Sequence, residues 1–195
     1  MKIRLVAVSL AALGLAACAP SLAEDVDLAN VAPDDIAWIG ETPIYPNATI
    51  AENIAAADAF SHLALLVERV GLAETLGGDG PYTIFAPTDA AFDGVPAALR
   101  DSLAQAENAA QLRSVVAGHV VAGKITAADL SAGILAGGGS YEVATLGGGT
   151  LTFRAEGESV RVSGGSGAGA LVTMADLTQA NGTMHVIDGV LLPAS

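Results

Sequence analysis

The spacing of apolar residues changes near residue 139, and that change limits the fold more than any other feature of the chain. Before it, Leu63, Leu66, Val67 and Val70 recur at helical intervals on one face, with Gly71 placed to end the helix. Thr49-Ile50-Ala51-Glu52 reads as a capping box that opens a helical segment, the hydroxyl taking a free N–H and the glutamate reaching back. Tyr82 to Phe85 predicts a short strand stopped by Pro87, and Thr88 can cap a helical turn through Phe92. Pro96 fits the first turn of another helix, Asn108 with Gln111 suggests a cap for Leu112, Val115 and Val116, and Thr126 with Asp129 caps a short turn. After the change the period is two: Tyr141, Val143 and Thr145 alternate with Glu142, Ala144 and Leu146. Leu151 with Phe153, and Val160 with Val162, also share a face. Gly147 to Gly149, and Gly164 to Gly169, read as turns. The runs Met184 to Ile187 and Val190 to Leu192 are continuous, as in a strand buried on both faces. Helices first and strands later predict an α+β domain. No repeat of 20–50 residues interrupts it.

The N-terminus has its own grammar. Lys2 and Arg4 form a positive n-region, and the apolar run from Leu5 to Ala17 is too short to span a bilayer as a mature helix. It ends in Leu15-Ala16-Ala17-Cys18, which resembles the bacterial lipobox, where a diacylglyceryl group is attached to the thiol and cleavage occurs just before it. Cys18 is the single cysteine of the chain. A thioether to lipid explains an odd thiol in an oxidising compartment, and acyl chains such as palmitate supply the anchor. An ordinary signal peptide cut after Ser21-Leu22-Ala23 is the alternative. The expected organisation is a lipoprotein signal peptide at 1–17, a lipidated tether at 18–45 rich in Pro, Asp and Glu, and a domain at 46–193. Within the tether, Trp38, Ile39, Ile44 and Tyr45 are apolar enough to dock on the domain. Ala19 and Pro20 follow the cysteine, and the absence of Asp there favours the outer membrane by resemblance to known sorting rules. The product is expected to be exported and lipid-anchored in the cell envelope, in the outer membrane or facing the periplasm.

Charge narrows the partners. The chain carries 8 basic against 21 acidic residues, −13 in all, with no basic cluster or stripe. Such a surface repels phosphate backbones, so no nucleic acid is expected. Three histidines, His62, His119 and His185, lie far apart in sequence without a His-x-x-x-His pair, so no metal site is expected. His119 and His185 sit in apolar segments, where a hydrogen-bonded core imidazole is the simpler reading. Gly164-Gly165-Ser166-Gly167-Ala168 misses the nucleophile elbow at its last position. Gly165 to Ala170 fits a loose dinucleotide pattern but lies between strands. Asp34-Asp35 is a solvated acidic pair in the tether. The sequons at Asn47 and Asn181 read as incidental, and Asn181-Gly182 as a turn. No catalytic residue, no cofactor and no enzyme activity are expected.

Two segments together resemble the fasciclin family: Thr83-Ile84-Phe85-Ala86-Pro87-Thr88-Asp89-Ala90-Ala91-Phe92 and Asn181-Gly182-Thr183-Met184-His185-Val186-Ile187-Asp188-Gly189-Val190-Leu191-Leu192-Pro193. They are similar to the family's two signature boxes, in order and at the usual separation. His119-Val120-Val121-Ala122-Gly123-Lys124 resembles its central Tyr-His region, with Gly118 where the tyrosine is expected. The resemblance covers residues 46–193. It implies a β-wedge with several helices packed against it, and a role in adhesion and extracellular interaction. In animal members an Asp-Ile pair ahead of the second box, and the Tyr-His region, are credited with integrin recognition. The first maps onto Asp176-Leu177 and the second onto His119, which makes these three the expected partner-binding residues. The expected function is a membrane-anchored adhesion or protein-interaction module whose partner is a protein or glycan of the cell surface or matrix. The alternative is an envelope protein that binds a small ligand, a glycan or a lipid.

Overall fold

The computed structural model describes residues 31–97, 108–165 and 169–192. The expected signal peptide, Cys18, most of the helix expected from Pro96, and part of the Gly164–Gly169 turn lie outside these residues. A short hairpin comes first, β1 (Ala37–Ile39) paired antiparallel with β2 (Thr42–Ile44). It lies within the segment expected as a tether, and Ile39 and Ile44 are buried in the core while Trp38 is exposed. The packed chain therefore reaches back to residue 37. Asn53 fastens the hairpin's exit: its Oδ1 accepts from Tyr45 N at 2.9 Å and its Nδ2 donates to Tyr45 O at 2.8 Å.

Four helices follow within the first half: α1 (Ile50–Ala56), α2 (Ser61–Arg69), α3 (Ala73–Leu76) and, after strand β3 (Tyr82–Pro87), α4 (Asp89–Asp93). The Thr49–Glu52 capping box is formed in both directions. Gly71, at φ +70°, ends α2 in the left-handed conformation that glycine tolerates best. Two other expected caps are half made. Thr88 and Asn108 stand at the N-caps of α4 and of α5 (Ala109–Ala117), yet neither side chain makes the capping bond. Asn108 has φ −98° and ψ 17°, away from the extended backbone that capping residues typically adopt.

Then come β4 (Val120–Ala122), α6 (Ala127–Ala136), β5 (Tyr141–Ala144), β6 (Thr150–Glu156), β7 (Ser159–Ser163), β8 (Gly169–Gln179) and β9 (Gly182–Ile187). The Thr126–Asp129 box is present, but it opens a helix of ten residues rather than the short turn expected. Leu130 and Ile134, one turn apart and buried, give that helix the apolar stripe that sustains it.

The seven strands form one mixed sheet in the order β4-β3-β9-β8-β7-β6-β5. β3 and β9 are parallel neighbours, from Tyr82 opposite Gly182 to Pro87 opposite Ile187, and the remaining pairs are antiparallel. Alternate residues of the central strands feed two separate cores. Ile84, Ala86, Val120, Met184 and Val186 pack with α1, α2, α3 and α5, while Phe85, Val121 and Ile187 pack with α6, Leu151, Phe153 and Val162. The runs around Phe85 and Val186 are continuous because both faces are covered. Phe85 anchors the second core, with ring centroids 5.1 Å from Phe153 and 5.2 Å from His185.

Candidate functional site

The two central polar positions of the sequence are built into the scaffold. His119 follows the C-terminus of α5 and is 2 % exposed. Its Nδ1 lies 2.8 Å from Val115 O, and its Nε2 accepts from Leu191 N at 2.9 Å, so the proton belongs on Nδ1. Burial pushes the pKa of His119 down to about 4, against the opposing pull of the Val115 carbonyl. The imidazole joins a helix end to the segment after β9 and offers no atom to an outside partner.

Asp176, expected as a partner-binding residue, stands inside β8. The strand bulges between Met174 and Leu177, and Asp176 adopts φ +60° there, the one positive φ among the described residues other than glycine. A short polar side chain tolerates that conformation better than most. The bulge turns its carboxylate to the start of α6, where Oδ1 accepts from Ala127 N at 2.8 Å. Its own N–H is directed at His185 Nδ1, 3.3 Å away, while His185 Nε2 sits 2.9 Å from Ile125 O. Burial lowers the pKa of His185, opposed by the Ile125 carbonyl and the Asp176 charge. Asp176 is exposed, but Leu177 is buried in the first core. Of the three expected partner-binding residues, the surface therefore shows only Asp176.

His62 stands on α2, exposed, with Nδ1 3.0 Å from Asp89 Oδ1 and its ring stacked on Phe92. Among the described residues no group of three or more His, Cys, Asp and Glu side chains converges.

An open cleft of about 290 Å³ is lined in part by Gly118, at the end of α5. Ser114, Glu142, Thr150, Thr152 and Leu191, among others, line it with Gly118. Its shape depends on backbones meeting without side chains. Gly147 N donates to Ala117 O at 3.0 Å, and a Cβ on Gly147 would come within 2.8 Å of Ser114 O and 2.9 Å of Gly118 N. The turn between β5 and β6 is thereby pressed onto the end of α5. The walls mix hydroxyls, peptide groups and one carboxylate with the side chains of Leu151, Leu191 and Leu192, so a ligand would meet hydrogen-bonding groups and apolar surface together. Sequence reasoning identified Gly118 as the departure from the family pattern but not these wall residues. The signal was present: Glu142 and Thr152 are the outward members of alternating strands, and pairing β5 with β6 sets them side by side.

An apolar groove of about 180 Å³ runs between α2, α4 and α5, lined by Leu65, Leu66, Phe92, Val95 and Leu112 among others.

Comparison with known proteins agrees with this architecture. The fasciclin domain model matches residues 58–193. A protein of Synechocystis sp., named Protein sll1483, is 41 % identical over 145 residues, covering 74 % of this chain and 73 % of its own. Human periostin is 30 % identical over 147 residues, 75 % of this chain, which spans only 16 % of periostin's length. The solved FAS1 domain pair of the insect cell adhesion molecule fasciclin I superposes with a TM-score of 0.66 at 20 % identity, over 76 % of this chain and 52 % of that one. The chain belongs to the fasciclin domain family.

Proposed function

We propose that this chain is an exported, lipid-anchored interaction module of the bacterial cell envelope, attaching to a protein or glycan of the cell surface or matrix. The observation that carries the reading is the open cleft at Gly118, lined by hydroxyls and leucines, beside the segment that resembles the family's central Tyr-His region. Support comes from the family itself, one of whose solved members is described as a cell adhesion molecule. Asp176 contributes a second exposed acceptor beside buried Leu177, and His119 ties the end of α5 to the chain at Leu191. The Cys18 thiol carries the acyl chains, and the residues between it and Ala37 give the domain reach from the membrane.

The test is capture from solubilised native envelope by the purified protein, beside a Thr150→Trp variant. Thr150 is exposed at the rim, so the indole fills the cleft without entering the core. The variant is expected to lose the captured partner while melting at the parent temperature. An unchanged set of captured molecules, or none with either protein, would count against the reading. Mass spectrometry of the product from its native membrane should find acyl chains at Cys18; a product lacking them removes the anchor.

A second reading, an envelope protein that binds an aliphatic ligand, is favoured by the apolar groove beside Phe92. Fatty acids should then raise the melting temperature by mass action.

A further inference from the structure

We propose that the outward face of β6 and β7, together with the cleft it adjoins, binds an acidic saccharide whose carboxylate is taken by Arg154. The inference rests on the interaction-module reading and names the class of ligand. The register of the hairpin sets Thr152 opposite Ser163 and Arg154 opposite Arg161. Leu151, Phe153 and Val162 point into the second core, so these four side chains share the outer face. Like charges directly opposite across an antiparallel pair are destabilising. One member of the pair is neutralised. Arg161 donates from Nε and Nη2 to the Glu156 carboxylate, the latter at 2.8 Å, and from Nη1 to Gly169 O at 3.3 Å. Its guanidinium is thus fixed along the hairpin and its planar edge is occupied.

Arg154 is in the opposite condition. It is exposed, and its guanidinium makes no hydrogen bond or ion pair with any described residue. In a chain with 21 acidic residues, a cation set beside another cation and left without an acid is a place for an anion from outside. A carboxylate presented to a guanidinium accepts two parallel hydrogen bonds.

The surroundings say what carries that carboxylate. Arg154, Arg161, Thr152, Ser163, Gly164 and Gly165 line an open depression of about 400 Å³. It shares Thr152, Gly164 and Gly165 with the cleft at Gly118, so the two are continuous. Beyond the cations the cleft offers Thr150, Ser114 and Glu142, which exchange hydrogen bonds with hydroxyl groups, beside Leu151, Leu191 and Leu192, against which the apolar face of a sugar ring can lie. Glu142 repels a second anion close by. Cationic at one end and carrying a single carboxylate among uncharged groups at the other, the surface matches a short run of sugar in which negative charge is spaced out. It does not match a closely charged phosphate polymer.

The experiment is calorimetric titration of the purified protein with a tetramer of galacturonic acid, a neutral glucose tetramer, and inorganic phosphate alone. The uronate should bind at least about tenfold more tightly than the neutral tetramer, and more weakly as salt is raised. Arg154→Gln should remove that tenfold preference, Arg154→Lys should keep part of it, and Arg113→Gln, on α5, should leave it intact. Arg154→Gln should melt no lower than the parent, because it relieves the cross-strand repulsion. Uronate binding that Arg154→Gln leaves unchanged would overturn the proposal. So would equal binding of the neutral tetramer, or displacement of the uronate by phosphate at equal concentration. Failure here together with a Thr150→Trp-sensitive protein captured from the envelope would sink the saccharide and keep the interaction module.

Discussion

Acid should weaken this fold through one imidazole. In the unfolded chain His119 takes up a proton near pH 6.5, its ordinary value. In the folded protein burial holds its pKa at about 4. Above pH 6.5 both states are neutral there and the contribution to stability is complete. As the pH falls below 6.5 the unfolded state gains a proton that the folded state refuses, so stability declines until about pH 4 and then levels off. The gap between the two values corresponds to about 3 kcal/mol, against the roughly 5–15 kcal/mol that holds a domain together. The mechanism is visible: a protonated imidazole could no longer accept from Leu191 N, and its charge would sit between α5 and the chain beyond β9. The assay is urea unfolding at pH 7, 5.5 and 4.5 for the parent and for His119→Gln. The variant starts less stable at pH 7 but should lose about 2–3 kcal/mol less between pH 7 and 4.5. Comparing the two cancels the relief of net negative charge on acidification, and the part from His185, whose lowered pKa acts in the same direction. A proton NMR titration of the parent supplies an independent reading if the variant does not fold. Parallel declines for the two proteins, or an imidazole titrating near 6.5 in the folded state, would refute the reasoning.

Two further outcomes are expected. Asp176→Ala should cost about 1–2 kcal/mol in chemical unfolding, by stripping the acceptor from Ala127 N and removing the short polar side chain that tolerates the positive φ. Asp176→Asn, which keeps an oxygen and tolerates the backbone, should cost clearly less. Asn181→Ala should cost about 2–4 kcal/mol in the same measurement, because it leaves Ile50 N, Leu76 O and Gly78 O without the partner they share.

What could be read from the residues was what depends on near neighbours. The boxes at Thr49–Glu52 and Thr126–Asp129 are made within four residues, and the alternation through Leu151 and Phe153 reports one strand's two faces. The unbroken run from Met184 to Ile187 correctly implied a strand covered on both sides. Positions set by distant contacts were not legible. Asn108 has capping chemistry, but the path into α5 leaves it in a conformation that does not cap. Nothing local announces the bulge at Asp176; the start of α6, 49 residues earlier, holds it there. The burial of Leu177 depends on the first core it enters, whereas the core imidazole of His119 was legible from its apolar neighbours. Arg154 and Arg161 become neighbours only once the hairpin fixes its register. The docking of Ile39 and Ile44 was legible from their apolar character, but the hairpin that brings them there was not.

Asn181 carries a consequence for how this protein ages. In an open loop an asparagine before glycine is a chemical clock: the next backbone nitrogen attacks the side-chain carbonyl carbon and ammonia leaves. Here both amide hydrogens are held, by Leu76 O and Gly78 O at 2.7 Å each, and the oxygen is held by Ile50 N at 2.9 Å. The carbon cannot swing toward Gly182 until all three bonds part. Deamidation at this one residue therefore advances only while the junction of α1, α3 and β9 stands open. The acid accumulated there in stored protein is a running count of those openings.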